Sequence, residues 1–367
     1  MKFTISQADF LEGLSHVQHV VSARTTLPIL SNVLLEAEDD KLILTTTDLD
    51  AGVSCTLKAE VMIPGATTLP ARKLMGIAKE LPSANVDVEV DESNTAVIRS
   101  GPSYYKILGL SKDEFPPLPD FTGGKEFKMD QRLMAECLKK TSFAMSNDQT
   151  RYVLNGIHCV LKDNMVTMVA TDGRRLSLVE EEIELSPSQE TSFTIPSKTV
   201  QELQRLLDDK GEINTRVNEG RIAFDLNNKI LVSKLVDGTY PNFRQVIPAE
   251  TKYRMTAERE GLLKAVNRVS LLSGDKDKAS SIKLHLKEGE LEITAHSPDI
   301  GEAKETVLVK YSGPNLTISF NPDFLMAPLR ALGNDDIHLD LIDEMSPGLL
   351  RSVGSFMYVL MPMRSGN

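Results

Sequence analysis

The chain has no tryptophan, and aromatic residues make up only 5% of its 367 positions. So sparse a set argues against a binding surface built on stacked rings. Its three cysteines, Cys55, Cys137 and Cys159, are scattered and odd in number. That excludes a disulfide frame and leads us to expect reduced thiols, as in a cytosolic protein. No apolar run approaches the roughly 18–20 residues that span a bilayer. The chain opens on a strand-like run, Met1–Ile5, rather than on a charged and then apolar leader. A soluble, cytoplasmic protein is expected. Catalytic motifs are equally scarce: there is no Gly-rich phosphate loop ending in Gly-Lys-Ser/Thr and no HExxH. His16 and His19 share a helical face, but no Cys or acid completes a metal site around them. Asp172-Gly173 resembles an active-site turn without a Ser/His/Asp set to accompany it.

What is present is ordinary in bulk. Hydrophobic residues are 41% and charged residues 25%, as in soluble globular proteins, and the length suggests about two or three domains. The net charge of −11 counts against nucleic acid, since phosphate binding rests on Lys and Arg. The distribution matters more than the sum. Six helix-like stretches, 7–22, 71–81, 130–146, 197–210, 258–273 and 322–333, hold slightly more Lys and Arg than Asp and Glu. The acidic excess lies outside them. A helical face could therefore meet phosphates while the remaining surface repels them.

The chain is organised around Arg151–Leu176, which reads as strand, polar turn (Lys162-Asp163-Asn164) and strand, closed by Thr171-Asp172-Gly173. Ile157, Cys159 and Leu161 alternate onto one face. The same stretch recurs at intervals of about a third of the chain. Leu154-Asn155-Gly156 matches Leu30-Ser31-Asn32, Thr171-Asp172 matches Thr47-Asp48, and Ile282–Ala295 repeats the pattern again. Phe3-Thr4-Ile5, Phe127-Lys128-Met129 and Tyr253-Arg254-Met255 each open a unit and precede a helical pattern. The first of these helices has the capping signal Ser6-x-x-Asp9. A second helix follows Pro70, Pro196 and Pro322, and each unit ends near Phe115-Pro116, Tyr240-Pro241 or Met361-Pro362. The reading is an α+β chain of three units, 1–124, 125–250 and 251–367, each β-α-β-β-β…α-β-β-β. Pro328, inside the last helix, is expected to kink or shorten it.

These residues resemble the β subunit family of bacterial DNA polymerase III, the replication sliding clamps. The matching motifs are Leu27-Pro28-Ile29-Leu30, Pro70-Ala71-Arg72-Lys73, Arg151-Tyr152-x-Leu154-Asn155-Gly156, Ala170-Thr171-Asp172-Gly173-x-Arg175-Leu176, Ser233–Gly238 and Met361-Pro362-Met363-Arg364. They cover the whole chain in order. The resemblance implies three tandem copies of a DNA-clamp domain, two helices packed on antiparallel sheets, forming half of a six-domain ring. The ring would be a head-to-tail homodimer encircling duplex DNA, a processivity factor without catalysis, cofactor or metal.

It also implies site residues. Arg24, Arg72, Lys73 and Lys198 match positions that face or approach DNA, with Gln149, Arg151 and Tyr152 in the adjacent loop. A pocket for short peptides of the replicative polymerase α subunit, the clamp loader, other polymerases and repair proteins would use Leu154, Thr171, Gly173, Arg174, Arg175 and Leu176. Pro241, Val246, Asn321, Phe324 and Met345 join it, with Val359, Met361, Pro362, Met363 and Arg364 from the C-terminal segment. Two flexible, polarizable methionines suit a groove that accepts varied apolar side chains. Ring closure would use Tyr105 and Ile107 on an edge strand, Leu271 and Leu272 at a helix end, and Lys73. Val153 stands where the family often has an aromatic, Gln245 where it often has Arg, and Ser365-Gly366-Asn367 where it often ends in Leu. The implied localisation is cytoplasmic and nucleoid-associated, away from membranes. From the residues alone, a carboxylate-based hydrolase of repeated α+β units, a structural oligomer without DNA and a DNA-binding regulator remain open.

Overall fold

The computed structural model describes residues 1–21, 27–119, 121, 123–273, 280–298, 300–333 and 336–363. The first third of the chain runs β1 (Lys2–Ser6), α1 (Gln7–Val17), β2 (Asn32–Glu38), β3 (Lys41–Thr47), β4 (Ala51–Lys58), β5 (Glu60–Ile63), β6 (Gly65–Pro70), α2 (Ala71–Glu80), β7 (Asn85–Val90), β8 (Thr95–Ser100) and β9 (Ser103–Leu108). The middle third runs β10 (Lys125–Asp130), α3 (Gln131–Thr141), β11 (Gly156–Lys162), β12 (Met165–Thr171), β13 (Arg175–Glu182), β14 (Thr191–Pro196), α4 (Ser197–Leu206), β15 (Glu212–Asn218), β16 (Arg221–Asp225) and β17 (Lys229–Lys234). The last third runs β18 (Tyr253–Glu258), α5 (Arg259–Ser270), β19 (Ile282–Lys287), β20 (Glu290–Ser297), β21 (Gly301–Leu308), β22 (Leu316–Phe320), α6 (Pro322–Ala331), β23 (Asp336–Leu341), β24 (Gly348–Arg351) and β25 (Met357–Leu360). Every third is thus strand, helix, strands, helix, three strands. The sequence pattern left open the strand just before each second helix, β6, β14 or β22, and the first third adds β5.

The chain forms two compact units, 1–134 with 198–235 and 135–197 with 236–367. In the first, one sheet has the order β5-β1-β7-β8-β9 and another the order β10-β15-β16-β17-β4-β3-β2-β6. In the second, the orders are β14-β11-β12-β13-β25-β24-β23-β18 and β21-β20-β19-β22. Both eight-stranded sheets join strands from neighbouring thirds. β17 pairs antiparallel with β4 (Leu231 opposite Val53), and β25 pairs antiparallel with β13 (Val359 opposite Leu176). The last strand of a third therefore meets the fourth strand of the third before it, by the same rule in each unit.

Local chemistry explains the elements. The β11–β12 hairpin closes on Asp163 and Asn164 at φ 53° and 57°, left-handed values that Asp and Asn tolerate and that match strand twist. Ile157, Cys159 and Leu161 are all buried. Burial, aided by Glu12 and opposed by Lys229, pushes the Cys55 thiol up to about 11, and burial with the nearby Glu181 carboxylate pushes Cys137 up to about 12, so both stay protonated and inert near neutrality. All three cysteines are free. Helix α1 starts where Ser6 Oγ accepts the Asp9 N–H at 3.0 Å. It buries Phe10, Leu14 and Val17, each such side chain contributing about 1.5–3 kcal/mol.

Pro328 does not shorten its helix. α6 spans ten residues, as do α2 and α4. A proline there deprives the Phe324 carbonyl of its helical donor. The fully buried Tyr358 supplies one instead, its hydroxyl donating to Phe324 O at 2.8 Å. Tyr358→Phe is therefore expected to cost about 1–2 kcal/mol in urea unfolding, by leaving that carbonyl without a donor. In a Pro328→Ala background, where residue 328 regains its N–H, the same change should cost measurably less.

Candidate functional site

The second unit holds a site built on one turn. Between β12 and β13, Thr171 Oγ1 accepts the Gly173 N–H (3.0 Å) and donates to Arg175 O (2.6 Å). Asp172 Oδ1 accepts the N–H groups of Arg174 (2.9 Å) and Arg175 (3.1 Å), and Oδ2 accepts the Arg175 Nε–H (3.0 Å). Gly173 sits at φ 85°, and a Cβ there would lie 2.9 Å from an Arg151 guanidinium nitrogen. The locked Arg175 places its guanidinium carbon 4.3 Å from the centre of the Phe324 ring and 5.9 Å from that of Phe143, so its flat face covers aromatic surface.

Beside the turn lies an apolar floor of Leu154, Val169, Leu176, Leu178, Tyr240, Leu349 and Val359, with Val153, Phe243, Ile247 and Met357 packed against it. The C-terminal segment forms one wall. The Met361 N–H donates to Arg174 O (3.0 Å) and that of Met363 to Ser319 O (2.8 Å). The backbone is pinned on both sides while Met361 remains 45% exposed. Pro362 and Met363 are half-buried, Pro241 is exposed, and Val246 and Met345 are large apolar residues left in solvent. Met345 lies in the β23–β24 turn, its N–H held by Asp343 Oδ1 at 2.9 Å.

The residues that the family pattern groups together thus divide by task. Leu154, Leu176 and Val359 are floor. Thr171 and Gly173 shape the turn. Asn321 caps α6, its Oδ1 accepting the Phe324 N–H at 3.1 Å, which sets the ring under Arg175. Arg364 lies outside the described residues, as does Arg24.

The cationic set is spread over both units. Arg72 and Lys73 are exposed in the first turn of α2, and Lys198 is the second residue of α4. These positions oppose the helix dipole, which favours anions at an N-terminus. Lys198 does not stand free: its ammonium is ion-paired with Asp48 and reaches Val20 O at 3.5 Å. In the other unit Gln149, Arg151 and Tyr152 lie exposed on a 3-10 helix, Gln149–Leu154. Arg151 leans on the site, donating to Asp172 O at 3.4 Å and lying 3.8 Å from Asp148 Oδ2.

For ring closure, Tyr105 and Ile107 point to the half-buried side of β9, the edge of its sheet, while Tyr104 and Leu108 are exposed. Leu271, just past α5, is 75% exposed and so is not core. Among the described residues no cluster of His, Cys, Asp and Glu could hold a metal ion, and no helix is long and apolar enough to cross a membrane.

Family models for the DNA polymerase III beta subunit match the chain over 1–119 (N-terminal domain), 128–242 (central domain) and 244–364 (C-terminal domain). The chain belongs to this family. Beta sliding clamps of Chlamydia muridarum and Pseudomonas putida are 33% and 35% identical to it, each over 99% of this chain and 99% and 100% of their own. The Bacillus subtilis DNA polymerase sliding clamp superposes with a TM-score of 0.95 at 29% identity, covering both chains fully. A Pseudomonas aeruginosa sliding clamp solved bound to griselimycin gives 0.95 at 34% identity over 99% of each. The fold is accordingly three tandem clamp domains, of the kind that form a ring as dimers. The function is that of a DNA sliding clamp in polymerase processivity, and the family does no catalysis. A carboxylate-based hydrolase is thereby set aside.

From the sequence Asp172 is a turn and motif residue whose Asp-Gly resembles an active-site turn; in the structure its carboxylate holds the turn and Arg175. The repeat of Thr-Asp at Thr47-Asp48 and Thr171-Asp172 was the signal for its structural role. The sequence reading missed His158 behind the floor, which stacks on Tyr240 (centroids 4.5 Å apart, 5° between planes) with Nδ1 3.0 Å from Thr194 Oγ1. Burial lowers the His158 pKa from 6.5 to about 4. The unfolded chain therefore takes up this proton first, so the contribution is intact above pH 6.5 and lost as pH falls from 6.5 towards 4. His158→Gln is expected to flatten that part of the Tm-against-pH profile measured by circular dichroism. An unaltered profile would assign the acid loss to other groups.

Proposed function

We propose that two copies of this chain close head to tail through β9 of one and β21 of the other, encircle duplex DNA and slide on it. The observation that carries the reading is the repeated junction rule. β4 meets β17, and β13 meets β25, in the same antiparallel way. β9 belongs to the same class as β17 and β25, and β21 to the same class as β4 and β13. Each lies at a sheet edge in the chain alone. Open edges invite pairing with another chain. Tyr105 and Ile107 on one side, Leu271 and Leu272 on the other, with Lys73 near them, supply the side chains of this junction. The clamp domains are bounded at 1–124, 125–250 and 251–367.

Arg24, Arg72, Lys73, Gln149, Arg151, Tyr152 and Lys198 touch DNA through phosphates. Support comes from cations placed at helix N-termini, where helix stability does not favour them. A sliding protein cannot dwell on base edges; diffuse phosphate contacts, many through water, position it without fixing it. Enclosure rather than affinity retains it. The groove beside Arg175 receives short apolar peptides of the polymerase α subunit, the clamp loader, other polymerases and repair proteins. Its apolar floor and its methionine wall support this. Griselimycin, bound by the P. aeruginosa relative, is a natural competitor to try. The protein works in the cytoplasm, at the nucleoid during replication.

Light scattering behind a sizing column is expected to give about twice 40.5 kDa across a dilution series. Leu271→Asp should shift that mass to one chain; a persistent dimer would overturn the assigned interface. After loading, the ring should stay on circular DNA and run off linear DNA. Arg175→Ala, which uncovers Phe324 and frees Asp172, should weaken binding of an apolar polymerase-tail peptide roughly tenfold or more in calorimetry, a loss of the size seen when an interface anchor is truncated.

A further inference from the structure

The turn of the peptide site has a twin in the first unit. Thr47 Oγ1 accepts the Leu49 N–H (3.1 Å) and donates to Ala51 O (2.9 Å), and Asp48 Oδ1 accepts the N–H groups of Asp50 (3.0 Å) and Ala51 (2.8 Å). Leu49 even takes φ 77°, close to the 85° of Gly173, although it is no glycine. The crossing backbone bond recurs as well: Lys234 N–H to Asp50 O (2.8 Å) is the counterpart of Met361 N–H to Arg174 O (3.0 Å). The twins differ in what reaches the second carboxylate oxygen. In the peptide site it is Arg175, from within the turn, and the position two beyond Pro322 is Phe324. In the first unit the residue corresponding to Arg175 is Ala51, which offers no cation. The position two beyond Pro196 is Lys198, and its ammonium takes Asp48 Oδ2. The pair is accessible from outside, with the Lys198 side chain 46% exposed and that of Asp48 16%.

We propose that Asp48 is a built-in competitor for Lys198, occupying the ammonium that a DNA phosphate must win. This rests on the reading of Lys198 as a DNA contact. The phosphate then replaces a carboxylate rather than capturing a bare cation. The exchange swaps one charge-assisted bond for another, so the contact forms and breaks at little net cost. It also makes little change to counterion release, because the cation set free from the DNA is balanced by one attracted to the vacated carboxylate. The neighbourhood reinforces this. Glu202, one turn along α4, is buried with Arg205 Nη1 at 2.5 Å from its Oε1, and burial raises its pKa although Arg205, His19 and Lys198 pull the other way. Asp48 is held low: burial works to raise it, but the Lys198 bond and the Ala51 and Asp50 N–H groups outweigh that. It therefore remains an anion through the physiological range.

The test uses the dimeric protein, a short fluorescein-labelled duplex and anisotropy titrations over a series of salt concentrations. Asp48→Asn keeps Oδ1 for the two turn N–H groups and replaces Oδ2 with an amide donor. It is expected to tighten duplex binding about two- to fivefold, the range of a partly exposed ion pair. The slope of log affinity against log salt should steepen by about 0.9, one added phosphate contact. Neither change should survive in Asp48→Asn/Lys198→Ala. Asp48→Ser, which also keeps an acceptor for the turn, should move the same way, and the melting temperature and solution mass of each variant check its folding. If both Asp48 variants bind as the parent does while Lys198→Ala weakens binding, the competition is overturned and the contact stands. A gain that persists without Lys198 overturns it too, in favour of a general charge effect. If Lys198→Ala, Asp48→Asn and the double variant all match the parent, the reading of Lys198 as a DNA contact has failed.

Discussion

A backbone ladder is the constraint on which the rest of this structure depends. At each internal junction a strand of one third pairs antiparallel with a strand of the next, and the pairing is made by N–H and C=O groups that every residue but proline carries. Such a joint tolerates divergence. β17 brings Lys229 opposite Cys55, β25 brings Leu360 opposite Arg175, and both ladders form. A chain joined twice in this way retains one edge strand of each class, β9 and β21, and in the proposed ring their edges pair when a second copy repeats the joint. On that proposal, ring closure extends a rule already at work inside one chain.

The junction turns show how one geometry was put to two uses. An aspartate in each, Asp48 or Asp172, spends one oxygen on the turn and turns the other towards a cation. Where that cation is Arg175, its planar guanidinium stays within the turn and lies over Phe324, making a rigid, partly apolar surface beside a methionine wall. Where it is Lys198, a point charge comes from the neighbouring helix, and it occupies the position that Phe324 holds beside the other turn. The choice of arginine or lysine, and of phenylalanine or lysine at the matching helix position, separates an apolar groove from a charged surface on a shared backbone.

Charge is managed with similar economy. The chain is acidic overall at −11. Of its candidate DNA-facing cations, Arg72 and Lys73 sit in the first turn of α2, and Lys198 sits in that of α4, against a carboxylate. A more strongly basic lining would hold phosphates longer and slow movement along the duplex. A ring that is retained by enclosure has no need of that affinity.

Most of the architecture was legible in the sequence. Alternating apolar residues such as Ile157, Cys159 and Leu161, the helical spacing of Phe10, Leu14 and Val17, the Ser6 cap and the thrice-repeated landmarks marked the elements and the triplication, because these depend on contacts within one element or its nearest neighbours. The floor residues Leu154, Leu176 and Val359 were legible through the family motifs. Arg364 and Arg24 fall outside the described residues. Three outcomes were not legible. Pro328 is expected to kink or shorten its helix; the helix keeps its ten residues, and Tyr358, from a strand near the far end of the chain, supplies the missing donor. Lys198 matches a family position that faces or approaches DNA, but its pairing with the distant Asp48 is set only by the fold. Asp172 is marked in the sequence as a turn residue, but that its two oxygens hold both the turn and Arg175 is visible only in the structure. By itself the sequence determined the strands, the helices and their threefold repetition, since hydrophobic period and turn chemistry act over a few residues. Only the tertiary structure decided which polar groups satisfy one another, because hydrogen bonds and ion pairs between distant residues form wherever folding brings donor and acceptor together, and no local pattern records that meeting.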